Sequence, residues 1–420
     1  MIARIFQALA AYTRRCSADR KRPSAGEPTR GRPDEERVMR MPKSSNRSRP
    51  VLAPLATMCL VAALVAPCLS LAQEAPTRHD WHHLRLVEFD APGATTTVSP
   101  ACGTGCGTIA LDNNDWGDVV GGYTDPNVVP HGFLRTANGQ FITFDAPGAS
   151  LGAGLNQGTF AYAINDFGAI VGQYQDPNYV YHSFIRNWNG SFTTFDAPGA
   201  GSGANQGTLA WSINQLGDTA GSYIDKNNVY HGFARSRSGT MTSFDPAGSV
   251  FTYVCEETCL NDSGTITGFY SDAGGGTHGF VRDRSGKITA IDVPGAIGTV
   301  AASINPFGTI GGYYLDPNFV GHGFLRKPNG RFSTFLLTQG STYPFSINLF
   351  GAIAGEYVDV NNMQHGFERW GNYTATFDTP DAGTGAFQGT RPSTNNADGA
   401  VAGWWIDAGG LNHGFVWTPF

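Results

Sequence analysis

Residues 158–199, GTFAYAINDFGAIVGQYQDPNYVYHSFIRNWNGSFTTFDAPG, contain four short segments separated by turn-forming residues. The first ends at Ile164-Asn165 and breaks at Asn165-x-x-Gly168, where glycine can take a positive φ. The second carries Gly172-x-Tyr174-x-Asp176 with a period of two, followed by an Asp-Pro-Asn loop of the Asx-turn kind. The third is His182-Ser-Phe184-x-Arg186, and Asn189-Gly190 turns it into a fourth that ends at Phe195-Asp-Ala-Pro-Gly199. Alternation over so few residues, bounded by such turns, predicts half-buried strands. The unit therefore reads as four antiparallel strands, A to D.

The rest of the chain from about residue 85 repeats this unit. His-Gly-Phe begins at His131, His231, His278, His322, His365 and His413, with His-Ser-Phe at His182, the seven copies lying 43 to 51 residues apart. Six residues before these histidines stand Asp125, Asp176, Asp225, Asp272, Asp316, Asp359 and Asp407. An aromatic residue lies two positions before every aspartate and a glycine four positions before it. Further back an Asn-x-x-Gly turn opens each time, from Asn114 to Asn396. Four-stranded units of this length, repeated, predict an all-β fold, a seven-bladed β-propeller over residues 85–420. An orphan strand D, LRLVEFDAPG (residues 84–93), precedes the first unit, and the last unit stops after strand C at Phe420. The N-terminal strand is thus expected to complete the last blade and close the ring, leaving no unpaired edge.

The formal net charge of −6 hides an asymmetry. Residues 1–72 hold 13 of the 28 Lys+Arg and 5 of the 34 Asp+Glu, which leaves 15 basic against 29 acidic residues in the remainder. An acidic domain repels a phosphate backbone, so no nucleic-acid partner is expected. Residues 1–72 read as a leader with a secretory signal peptide: Lys43, Arg47 and Arg49, then an apolar run from Leu55 to Ala66 too short to span a bilayer, then Ser70-x-Ala72 for cleavage. The natural start is placed at Met39 or Met41, residues 73–84 form a polar linker, and no membrane span remains after cleavage. The protein is expected to be secreted or periplasmic, and monomeric.

Four cysteines then remain, Cys102 and Cys106, Cys255 and Cys259, in a compartment that favours disulfides. Residues four apart on a straight strand are about 13 Å apart, out of reach of a bond. Each local pair therefore requires its segment to curl.

The recurring aspartates and histidines bracket the B–C hairpin. If they face each other, Tyr174 pairs with Phe184 and Gly172 with Arg186, giving an Asp···His bond, an aromatic pair, and an arginine over a glycine. An acid–base or metal-binding role is the rival reading for these residues. Their recurrence once per unit at fixed register favours a structural role, because a catalytic site needs one asymmetric constellation. Asp112, Asp115 and Asp118 break the pattern and are weak candidates for calcium, without the spacing of a known calcium loop; no other cofactor is expected. Glu256 and Glu257 form an adjacent acidic pair between two cysteines, read as part of a surface loop. No nucleophile elbow, phosphate loop or dinucleotide fingerprint occurs.

The His-Gly-Phe-x-Arg strand, the Ile-Asn-x-x-Gly turn and the Val-Gly or Ala-Gly that follows resemble the bacterial extracellular repeat proteins named for a His-Ala-Phe (HAF) motif. Here glycine stands for the alanine and arginine for the usual tryptophan, as in a divergent branch. The resemblance implies secretion and a repeat fold, with no established activity. The segments from strand D to the next strand A vary most in length, and variable loops on a rigid scaffold carry function. The functional expectation is a binding or scaffold module, for a protein or carbohydrate, acting through the D–A loop face. The alternative is an extracellular lyase or hydrolase at the mouth of the central channel, built from non-repeating groups of units one and four.

Overall fold

The computed structural model describes residues 85–418, apart from 155, 156, 256, 257 and 339. The leader, the linker and the Glu256-Glu257 pair lie outside the described residues. Strands dominate, with one 3-10 turn at Gly103–Gly105. In the unit that opened the sequence analysis they run Thr159–Ile164, Ile170–Gln175, Tyr181–Arg186 and Phe192–Phe195. They pair antiparallel in chain order. The strands form one four-stranded sheet and three eight-stranded sheets. Each eight-stranded sheet is two such units joined by a single parallel bridge, as at Gly207 and Tyr181. The expected all-β fold of repeated four-stranded sheets is therefore present. Arg85–Phe89 pairs antiparallel with the last strand, Asn412–Thr418, placing Val87 opposite Val416.

The strand-B glycine has a steric cause. A Cβ at Gly221 would lie 2.1 Å from the carbonyl oxygen of Leu209 on strand A, and at Gly172 2.1 Å from that of Phe160. Strands A and B thus approach more closely than any side chain permits at this point. The phenylalanine of each third strand fills the space alongside: Phe133, Phe184, Phe233, Phe280, Phe324, Phe367 and Phe415 are all fully buried. Several pack edge-on against the strand-D phenylalanine of the preceding unit, as Phe184 does on Phe144 with centroids 6.2 Å apart. Such pairs contribute about 0.5–1.5 kcal/mol beyond area burial.

The register across the B–C hairpin differs by two residues from the expected one. Tyr174 faces His182, Gly172 faces Phe184, and Ile170 faces Arg186. The reason lies in the loop. Asp176 spends one carboxylate oxygen on the backbone N–H groups of Asn178 and Val180, 2.8 and 2.9 Å away, and so caps the turn rather than meeting histidine head-on. The aromatic pair is therefore tyrosine stacked on histidine, with centroids 5.1 Å apart. Arginine lies not over a glycine but over the strand-D phenylalanine of the unit before, Arg186 over Phe144 at 4.9 Å and Arg235 over Phe195 at 4.6 Å. Trp417, which replaces arginine in the last unit, stacks on Phe377 at 4.6 Å.

Candidate functional site

Each Asn-x-x-Gly asparagine has two tasks. Its Oδ1 accepts backbone N–H groups of its own turn, as Asn165 does from Phe167 and Ala169 at 3.1 and 3.0 Å. Its Nδ2 donates to the backbone carbonyl of the corresponding asparagine in the next unit. The chain of donations runs from Asn114 to Asn165, Asn214, Asn261, Asn305, Asn348 and Asn396, at 2.9 to 3.5 Å. Asn396 then donates to the carbonyl of Asn114 at 3.0 Å. The turns of first and last units are therefore in contact.

These A–B turns surround a cavity of about 170 Å³ lined by residues of all the units. It opens at the end of strand A opposite the B–C and D–A loops, not on the D–A face expected from loop lengths. The D–A loops have a different occupation. Gly154, Asn205 and Phe387 each donate a backbone N–H, at 2.7 Å, to the B–C loop of the preceding unit, at Asn127, Tyr179 and Asn362. They hold neighbouring units together.

The mouth is asymmetric. The residue after the repeat asparagine is Asp115, Asp166, Gln215 or Asp262 on one side and Pro306, Leu349 or Ala397 on the other. On the polar side each side chain accepts the N–H of its neighbour: Asp166 from Asp115, Gln215 from Asp166, and Asp262 from Gln215, all at 2.9 Å. Asp115 accepts from Ala397 at 2.8 Å. Burial, with Asp115 and Asp262 adding repulsion, raises the Asp166 carboxyl above its ordinary range. No Lys, Arg or His lines this cavity among the described residues. On the same turns the residue after the lining one is large and apolar in five units and lies outside the lining itself. Trp116, Phe167 and Phe307 are each 71% exposed, Phe350 62% and Leu216 46%. These residues went unnoticed in the sequence because each alone looks like an ordinary turn residue.

The calcium candidates do not converge. Asp112 is buried and accepts N–H groups of Ile164 and Asn113, Asp115 turns to Ala397, and Asp118 to the N–H of Ala137. Among the described residues no three His, Cys, Asp or Glu side chains are grouped as a metal would need. Burial pushes the Asp112 carboxyl up to about 7 against those hydrogen bonds.

The repeat histidines and aspartates lie at the opposite end, away from the cavity. In six of the seven units the histidine Nδ1 meets the aspartate that ends strand D, at 2.9 Å for His131 with Asp145, 2.8 Å for His182 with Asp196 and 2.7 Å for His231 with Asp245. That carboxylate is the partner the sequence reading overlooked. The B–C aspartates Asp125, Asp176, Asp225, Asp359 and Asp407 stand farther, 3.7–4.0 Å from Nε2 of His131, His182, His231, His365 and His413. Asp272 and Asp316 approach His278 and His322 to 3.3 Å. His322 has Leu336 where other units have the second aspartate.

Cys102 and Cys106 form a disulfide across the 3-10 turn, which supplies the curl that local pairing requires. Cys255 and Cys259, the other two candidates, are both buried, and the Cys259 thiol donates to the Cys255 carbonyl. Between units six and seven lies a polar seam that the repeat analysis missed. Glu368 is fully buried at a position where other units carry Leu, Ile, Ala or Val, and accepts from Asn395 Nδ2 at 3.0 Å. Burial pushes its carboxyl up to about 8. Beside it Arg391 donates to Glu356 at 3.0 Å and lies over Trp404.

No protein-family model and no curated sequence matches the chain. Solved structures do. The chain is similar to a streptogramin B lyase, at 14% identity over 81% of this chain and 99% of that one, with a TM-score of 0.51. It is also similar to the lectin BP39L of Burkholderia pseudomallei, at 11% identity over 73% of this chain and 97% of the lectin, with a TM-score of 0.43. The six-bladed β-propeller lectin of Aleuria aurantia matches at 14% identity over 61% of this chain and 89% of the lectin, with a TM-score of 0.36. At these identities the likeness concerns architecture, a β-propeller, and neither binding nor catalysis.

Proposed function

We propose that the units form a closed seven-bladed propeller that works outside the cytoplasm as a non-enzymatic binding module, for a carbohydrate or protein ligand, through its A–B turn end. The return of the asparagine chain from Asn396 to Asn114 and the pairing of Arg85–Phe89 with Asn412–Thr418 support the closed ring. The disulfide at Cys102 and Cys106 supports an oxidising compartment. The observation that carries the binding reading is the set of exposed Trp116, Phe167, Phe307 and Phe350, each the next residue after one that lines the polar cavity. Aromatic faces with a few convergent polar groups are how concave sites hold small ligands. Asp112 gives the enzyme reading its best candidate, since it lines the cavity and titrates near neutrality. Its two oxygens accept the N–H groups of Ile164 in the next unit and of Asn113, a role in holding neighbouring turns together.

The test is glycan-array and partner-capture binding by the secreted chain, compared with Trp116→Ala/Phe307→Ala. Loss of binding in this variant, with unchanged thermal stability, is expected. Retained binding in that variant places the ligand elsewhere, and the D–A loop end then becomes the site.

A further inference from the structure

The A–B and C–D turns of a unit meet at one end. Asp118 and Asp218 of the A–B turns accept the backbone N–H groups of Ala137 and Arg237 in the C–D turns, at 3.1 and 2.8 Å. A Cβ at Gly168 would lie 3.3 Å from that of Trp188, and one at Gly264 3.3 Å from Cγ of Arg284. Trp188, 78% exposed, therefore joins the exposed residues of the A–B tips, Trp116, Phe167, Leu216, Phe307 and Phe350. These tips occupy one register of the repeat, and the asparagine chain ties their turns side by side, so they stand at a common level. Trp116 Nε1 donates to the Asp166 carbonyl at 2.9 Å and brings no unmet donor to an apolar phase.

Charge is divided between the two ends of the units. Apart from Lys226 and Arg391, every Lys and Arg among the described residues lies near the end of strand C, in a C–D turn, or at Arg85 opposite Thr418. The opposite end carries the aspartates of the B–C loops and those that end strand D, with Lys226 as its cation. Three consecutive C–D turns, of units three to five, hold the exposed Arg237, Arg284, Lys287, Lys327 and Arg331. Among the described residues Arg391 is the cation in an ion pair with a carboxylate other than the histidines, and these five have none. Of the carboxylates at this end only Asp115 and Asp398 are exposed, and several of the others hold turn N–H groups.

We propose that this end docks on an anionic lipid surface, with the aromatic tips entering the interface and the cations of units three to five meeting the headgroups. Exposed apolar residues gathered on one face mark protein or membrane contacts. Tryptophan in particular favours the boundary between headgroups and water. Lys and Arg held near an anionic leaflet add attraction that falls off within a Debye length. The aspartates of the far end are repelled by the same surface, which fixes the orientation of the chain on it. A soluble polyanion would engage the cations of units three to five and leave Trp116, Phe167 and Trp188 of units one and two unused. A lipid surface engages both sets at once.

The inference extends the reading of the A–B end as the binding face and stands without a ligand in the cavity. The chain is co-sedimented with vesicles of phosphatidylcholine alone and of phosphatidylcholine with an equal part of phosphatidylglycerol, while tryptophan emission is followed. Binding to the anionic vesicles with a blue shift is expected, weaker at about 1 M salt than at about 0.1 M. Arg237→Gln/Arg284→Gln/Lys327→Gln should weaken it by about a hundredfold. Trp188→Ala/Phe350→Ala should weaken it by about tenfold, and Lys226→Gln at the far end should leave it unchanged. Silence towards both vesicles, binding that ignores the three cations, or binding to soluble polygalacturonate alone overturns the proposal. If the charge variant melts early, the salt dependence and the emission shift of the wild-type chain decide. Vesicle binding with no glycan or protein captured sustains this proposal and removes the carbohydrate or protein ligand; capture without vesicle binding does the reverse.

Discussion

Glu368 is the residue whose environment departs furthest from its repeat. Its carboxyl is held protonated near neutrality by burial, while in the unfolded chain it ionises near 4.5. The folded state therefore binds the extra proton between about pH 4.5 and 8, and stability falls as pH rises through that window. Asp112 acts in the same direction between 3.8 and about 7. Hydrogen bonds that the imidazoles of His131, His182 and His413 donate to Asp145, Asp196 and Asp90 raise these histidines, so their contribution too is present in acid and lost as pH rises. Against this, Asp225, Asp316 and Asp359 are lowered by backbone N–H groups of their loops, a contribution lost as pH falls through their folded values. Maximal stability is accordingly expected near pH 5. Glu368→Gln keeps the acceptor for Asn395 and should raise stability at pH 7 by roughly 3 kcal/mol, with a flatter profile. Urea unfolding from pH 4.5 to 8 checks it; a variant with the wild-type slope contradicts a buried acid at this site.

At the scale of the strand, most was legible and the error was specific. The turn residues Asn165, Gly168, Asn189 and Gly190 mark the strand ends correctly, and the period-two pattern finds the strands between them. The B–C register was misread because Asp176 and His182 were assumed to face each other. The side chain of Asp176 instead serves its own loop, a local competition that spacing cannot reveal. Arg186 was misplaced for the same reason, and its contact with Phe144 crosses between units, where a single-repeat reading does not look. Glu368 and Arg391 could have been found by setting the seven third strands and first strands side by side. The strand-B glycine makes a sharp prediction: Gly221→Ala drives a Cβ into the Leu209 carbonyl and the Phe233 ring. It should cost more than about 2 kcal/mol in urea unfolding. Gly274→Ala, whose nearest neighbours are side-chain atoms of Asp272 at 3.3–3.9 Å, should cost far less. Equal losses would show that the A–B approach is looser than described.

For the whole molecule, repetition builds the scaffold and departures from repetition build the proposed site. The ring of asparagines is common to all units, but the residue beside it is acidic or amide in units one to four and apolar in units five to seven. That difference makes one side of the mouth unlike the other, and under the proposed binding function it orients the ligand. The proposed site also depends on the proposed closure, since Asp115 of the first unit is fixed by Ala397 of the last. The pairing of Val87 with Val416 is where that closure can be tested most directly. In a Val87→Cys/Val416→Cys chain, oxidation at low protein concentration is followed by non-reducing electrophoresis and thermal melting. A closed propeller predicts one monomeric cross-linked species that melts higher than its reduced form. Uncross-linked monomer, or bonds formed only between molecules, would contradict the ring and with it the shared mouth.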